Sequence, residues 1–277
     1  MRIFLRWKSP AAIEQDLPLA RLRRVVAAAA ATPFYHPWVT GGRLLDGRHV
    51  RPLQSQREAL ACFPRVERDW VAHHPSEFKN PYEQRVKQPR LLAGFPVPTR
   101  AAVFGLPVET SPLVACFGSP DDPLIDGFRP EALAGPFDVL RQLSRRKLDG
   151  LRQSIIVFRT LEEGRLTDSE RDELWRAFEL PVFEQLRAPG GELLAAECEA
   201  HQGLHLDGRE AIVEFDDTRT PPEALFTSLL NLRQPQIRLA LGWSLQLDHS
   251  PCACGRPGVR AAQVVSMETP KAMRVAV

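Results

Sequence analysis

Three thiols and an imidazole stand in two short polar stretches of the chain. Cys198 and His205 lie in Glu197-Cys198-Glu199-Ala200-His201-Gln202-Gly203-Leu204-His205, and Cys252 and Cys254 lie in Pro251-Cys252-Ala253-Cys254-Gly255-Arg256. Thiolate sulfur and imidazole nitrogen are the donors zinc takes in tetrahedral sites, and four protein donors close a structural site to water. Cys198 and His205, with six residues between them, would form one arm. Cys252 and Cys254 would form the other, since alternate residues of an extended chain face one side. Pro251 restricts entry to the second turn, and Gly255 lets the backbone bend and aim amides at sulfur. His201, Glu197 and Glu199 are possible ligand substitutes. The competing reading is a set of reduced cysteines beside an exposed histidine, because Cys-x-Cys is less specific than a paired Cys-x-x-Cys. Catalytic zinc is disfavoured, since three thiolates leave little Lewis acidity and no open position.

Other reactive side chains offer less. His73 and His74 are adjacent, and adjacent residues of a helix do not share a face, so a surface position is expected. Gly118-Ser119-Pro120-Asp121-Asp122 offers a hydroxyl and two carboxylates without a positioned base. Cys116, within an apolar run, reads as a buried small hydrophobe. Arg21, Arg23 and Arg24, and likewise Arg145, Arg146 and Lys147, read as solvated helix faces, because a net charge of +2 is too small to draw the chain onto nucleic acid.

The elements that must position the thiols belong to a globular chain. Its 277 residues are 44% hydrophobic and 25% charged, enough for a compact body with a smaller attached subdomain. No leader opens the chain and no apolar run is long enough to span a bilayer, so no membrane partner and a cytoplasmic location are expected. Five cysteines without a secretory signal argue for thiols or metal ligands over disulfides.

The spacing from Ile13 to Ala31 predicts an amphipathic helix ended by Thr32-Pro33-Phe34-Tyr35, with Phe34, Tyr35 and Trp38 anchoring the turn in the core. A short helix is expected between Arg65 and His73. Ala101 to Leu106 and Pro112 to Phe117 read as buried strands between turns. Ile155-Ile156-Val157-Phe158 is a strand, Thr167-Asp168-Ser169-Glu170 a capping box before a helix carrying Leu174, Trp175 and Phe178, and Leu180 to Phe183 a second strand. The three make a βαβ unit with parallel strands. Strands at Ala211 to Phe215 and Ala224 to Leu230, and a broken apolar run from Ile237 to Leu247, follow the first thiol, so sheet ladders could hold the two polar loops side by side.

Several of these residues carry a resemblance. Ala196 to His205, the strand Ala211 to Phe215, Phe226-Thr227-Ser228-Leu229, Pro235-Gln236-Ile237-Arg238 and Pro251 to Arg256 are similar, in that order, to the second half of the large domain of phenylacetate-CoA ligases, which are adenylate-forming enzymes. The helix before Thr32-Pro33-Phe34-Tyr35 resembles that family's opening helix and turn, while the middle of the chain matches poorly. The resemblance implies an α/β fold, a partial large domain with a βαβ core over residues 1–185 and a strand-rich, zinc-stapled subdomain with a short tail over 186–277. In some members the matching residues surround zinc; carried over, they are Cys198, His205, Cys252 and Cys254.

The departures concern ATP. The family's Ser/Thr/Gly-rich phosphate loop has no counterpart here. Its adenine-contacting Tyr-Gly-x-Thr-Glu falls on Leu186-Arg187-Ala188-Pro189-Gly190, and its ribose-binding aspartate falls on Trp243. The C-terminal lid with the adenylation lysine is unmatched, Lys271 lying outside that context. The expectation is a degenerate ligase-like protein with structural zinc, without ATP or coenzyme A as cofactors, acting as a binding or accessory protein toward a protein partner or an acyl or aryl small molecule. The alternatives are an acyltransferase or thioester-handling enzyme that retains Arg238 and the Gly203-to-His205 loop, or a ligase completed by a partner.

Overall fold

The computed structural model describes residues 10–47, 49–84, 86–92 and 99–267, with the backbone alone for 10–17. The Lys271 tail lies outside the described residues. The chain forms two compact units. One gathers the described residues up to 86 with 208–214 and 225–241; the other gathers those of 87–207, 215–224 and from 242 onward.

The first unit opens with α1 (Pro10–Ala29), α2 (His36–Gly41), the hairpin β1 (Leu45–Asp46) and β2 (His49–Val50), α3 (Gln56–Leu60) and α4 (Arg68–His73). Leu22, Val25, Val26 and Ala29 of α1 are fully buried while Arg23 and Arg24 are exposed, which is the expected helical stripe. After α1 the Thr32 hydroxyl donates to the Ala29 carbonyl, and the buried Tyr35 hydroxyl both accepts from the Ile237 amide (3.1 Å) and donates to its carbonyl (3.2 Å). Trp38, expected in the core, is 44% exposed, because α2 turns only Val39 inward.

The second unit holds β3 (Ala101–Phe104), β4 (Val114–Phe117), α5 (Leu124–Phe128), β5 (Ala132–Pro136), α6 (Phe137–Leu143), β6 (Ser154–Thr160), α7 (Asp168–Phe178), β7 (Val182–Arg187), β8 (Leu193–Glu197) and β9 (Leu204–Leu206). The chain then forms β10 (Ala211–Asp216), β11 (Glu223–Ser228) and β12 (Leu239–Ala240), a three-stranded sheet of mostly first-unit residues, before β13 (Trp243–Asp248) and β14 (Arg260–Ser266). One nine-stranded sheet runs β13-β14-β9-β8-β7-β6-β5-β3-β4. It is parallel from β4 through β7 and antiparallel from β7 to β13.

Strand β6 shows why this sheet is buried on both faces. Ile155 and Val157 pack with Leu140, Leu143 and Leu174 beneath α5, α6 and α7, while Ile156 and Phe158 pack with Val103, Val108 and Ala134 on the opposite face. The capping box forms as the sequence indicates: the Thr167 hydroxyl accepts from the Glu170 amide, and Glu170 accepts from the Thr167 amide. The strands flanking the thiols, β8, β9, β13 and β14, continue the sheet of the βαβ core. Cys116, expected to be buried, is exposed: β4 is the last strand of the sheet and has a neighbour on one side only. Among the described residues no helix is long and apolar enough to cross a membrane.

Candidate metal centre

Cys198 lies in the loop joining β8 to β9, His205 in β9 itself, and Cys252 and Cys254 in the loop joining β13 to β14. Their adjacency follows from strand pairing. Ala196 of β8 lies opposite His205 of β9, and His205 lies opposite Arg260 of β14; the loop entering β9 and the loop entering β14 sit at opposite ends of this antiparallel pairing, but β9 is only three residues long, so their donors can meet across it. Gly203, at φ 97°, makes the return into β9; a side chain there would meet the Ala261 carbonyl at 3.1 Å.

Cys198, His205, Cys252 and Cys254 come together with their donor atoms within 4.8 Å of one another. The Cys198 and Cys252 sulfurs are 3.6 Å apart, and Cys254 Sγ is 3.4 Å from His205 Nε2. Metal-ligand bonds of about 2.3 Å to sulfur and 2.0 Å to nitrogen place tetrahedral donors roughly 3.5–3.8 Å from one another, so these separations suit a shared ion. Among the described residues this is the one group of three or more such side chains able to hold a metal.

The local fields differ by residue. Cys198 is buried, and burial pushes its thiol up to about 11 when no ion shares the site. The Cys254 backbone amide lowers the Cys252 thiol instead, and burial lowers the His205 imidazole, which favours the neutral, metal-binding form. The Arg256 amide lies 3.4 Å from Cys254 Sγ and points a donor at the sulfur. His205 Nδ1 is buried with no partner among the described residues.

The proposed substitutes serve other ends. Glu197 accepts a two-pronged contact from Arg171 of α7 and the amide of Glu184; Glu199 pairs with Arg256 across the two loops at 2.9 Å; His201 Nδ1 lies 3.0 Å from Glu197 and its ring stacks on Phe183. Arg260, 3% exposed, donates to the Gln202 carbonyl of one loop and to Asp248 and Ser250 at the start of the other. Sequence reasoning missed Arg171 and Arg260. Their only signal is an arginine on each element flanking the thiols. His73 and His74 are on the surface, as expected, and Ser119 and Asp122 close local turns by accepting amides from Asp121 and Leu124.

The backbone is similar to that of 2-hydroxyisobutyryl-CoA ligase in an open conformation in complex with 2-HIB-AMP and CoA, with a TM-score of 0.62 and 18% identity over 92% of this chain and 70% of that one. The fold is that of this CoA ligase. The same ligase in its thioesterification state gives 0.62 and 17% over 94% and 69%, and in its postadenylation state with R3-HIB-AMP 0.61 and 18% over 92% and 67%. No protein-family model and no curated protein matches the chain.

Within this ligase-like fold, the stretch set against the adenine-contacting segment is a strand end and a tight turn. Arg187 is buried, donates to the carbonyls of Gly191 (3.1 Å) and Arg90 (3.3 Å), and lies 4.9 Å over the Phe158 ring. Ligands of open α/β sheets enter where neighbouring connections leave for opposite faces. Here that point lies between β3, whose connection packs Val108 on one face, and β5, which leads to α6 on the other. The two strand ends approach closely there: a side chain at Gly105 would meet the Pro136 ring at 2.7 Å, and one at Gly135 would meet Phe104 Cβ at 3.0 Å.

Proposed function

We propose that this chain is a degenerate relative of the phenylacetate-CoA ligases that keeps a zinc-stapled scaffold, lacks ATP-dependent ligation and acts as a binding or accessory protein. The observation that carries this reading is Arg187, in the stretch set against the family's adenine-contacting segment: it is buried, and its guanidinium donates to the Gly191 and Arg90 carbonyls where that family places an aromatic ring and a carboxylate. A chain without a phosphate loop supports the same reading.

Zinc suits the donor set. Three sulfurs and one imidazole form a closed shell around a borderline-soft ion, and Arg256 and Arg260 offset the negative charge of the thiolates. Cys198, His205, Cys252 and Cys254 hold the ion, and the ion ties two segments whose nearest donors, His205 and Cys252, stand 47 positions apart in sequence, so its binding energy adds to folding. The decisive experiment is ATP-pyrophosphate exchange with a panel of aryl and fatty acids. No exchange is expected; robust exchange with any acid would overturn the reading.

A further inference from the structure

Two grooves on the first unit share a wall at Ser76 and Lys79 and have no part in the metal centre. The larger, about 610 Å³, runs along the turn between α1 and α2 and is walled by Ala30, Ala31, Pro33, Pro37 and Pro81. The smaller, about 450 Å³, holds Lys79 and Arg233 together with the side-chain amides of Asn231 and Gln234. Both volumes fall in the range of small-molecule sites, roughly 300–1,000 Å³.

Charge decides what fits. Lys79 and Arg233 are exposed, and among the described residues neither has a side-chain partner. Two cations sharing a recess repel each other and favour an anion between them. Glu77 and Glu83, the acidic residues nearest to Lys79 in sequence, line neither groove. The proline and alanine walls next to this charged end are stiff and apolar, and little ordering is needed to receive a hydrocarbon.

We infer that the two grooves form one site for a small amphiphilic carboxylate, a medium-chain fatty acid or an aryl-alkanoic acid, with its head between Lys79 and Arg233 and its tail among Ala31, Pro33 and Pro37. The site lies within the first unit and depends neither on zinc nor on the loss of ligation.

Calorimetric titration of the full chain with octanoate and with 1-octanol tests it. Octanoate should bind saturably at one site, about tenfold or more tighter than octanol. Lys79→Glu combined with Arg233→Glu should weaken octanoate about tenfold and leave octanol unchanged. Ala31→Trp, which fills the apolar groove, should weaken both. Both charged residues are exposed, so the reversal pair decides the matter even if the Trp variant misfolds. Octanoate binding no tighter than octanol, or unchanged by the reversals, would overturn the inference. So would retention of the protein by phosphatidylglycerol vesicles with octanoate inert.

Discussion

Arg171 grips Glu197 through both terminal guanidinium nitrogens at 3.0–3.1 Å, and Glu197 immediately precedes the first thiol of the metal group. The Glu197 side chain is 1% exposed and that of Arg171 24%, so the loop bearing Cys198 is fixed to α7 by an ion pair whose carboxylate is desolvated. Removing one partner strands the other's charge. Arg171→Met should lower unfolding free energy by about 3 kcal/mol in urea titrations, while a surface control, Arg176→Met, should change it by less than about 0.5 kcal/mol. Equal effects from the two would refute the role given to Arg171.

The metal group has its own signature. Protein purified without added metal should carry about one zinc per chain by elemental analysis. Cys198→Ser or Cys252→Ser should remove most of it and cost at least about 3 kcal/mol of stability, as loss of a structural metal does. Glu199→Gln should retain zinc, because that carboxylate pairs with Arg256 and not with the donors. A full zinc complement in either cysteine variant would remove that residue from the ligand set.

The close approach of the β3 end to β5 is testable by adding one methyl group. Gly105 has φ 70°, and an added Cβ would lie 2.7 Å from the Pro136 ring. Gly105→Ala should therefore destabilise by about 2 kcal/mol through backbone strain and overpacking. A neutral result in thermal melts would refute the close contact between Gly105 and Pro136.

Glu131 supplies a pH prediction. Its carboxylate accepts the Arg100 amide at 3.0 Å and pairs with Arg152; the amide first, and the guanidinium after it, hold its pKa below the usual carboxylate range. A depressed folded-state pKa gives stability that is present above the unfolded value of about 4.3 and is lost as pH falls through the lower folded value. Urea midpoints of the wild type should thus fall on the acid side, and Glu131→Gln should be less stable at pH 7 with a shallower acid limb. Parallel curves for the two proteins would exclude this linkage.

What the sequence determined by itself was local. Thr167 and Glu170 announce a helix start because their hydrogen bonds span three residues, and Ile155 to Phe158 announce a strand buried on both faces because β-branched and aromatic side chains suit one. The four residues of the candidate metal group stand out for a related reason, since few side chains carry sulfur or imidazole and these lie in two short polar stretches. Sheet order decided the rest. Cys116 looks like a core residue in its apolar run, yet β4 is the outermost strand and leaves it exposed; Trp38 sits beside a buried turn, yet the phase of α2 points it outward. The clamps at Arg171 and Arg260, and the close contacts at Gly105 and Gly135, join residues from different elements. Such contacts depend on which strands become neighbours, and side-chain periodicity along one strand carries no information about that.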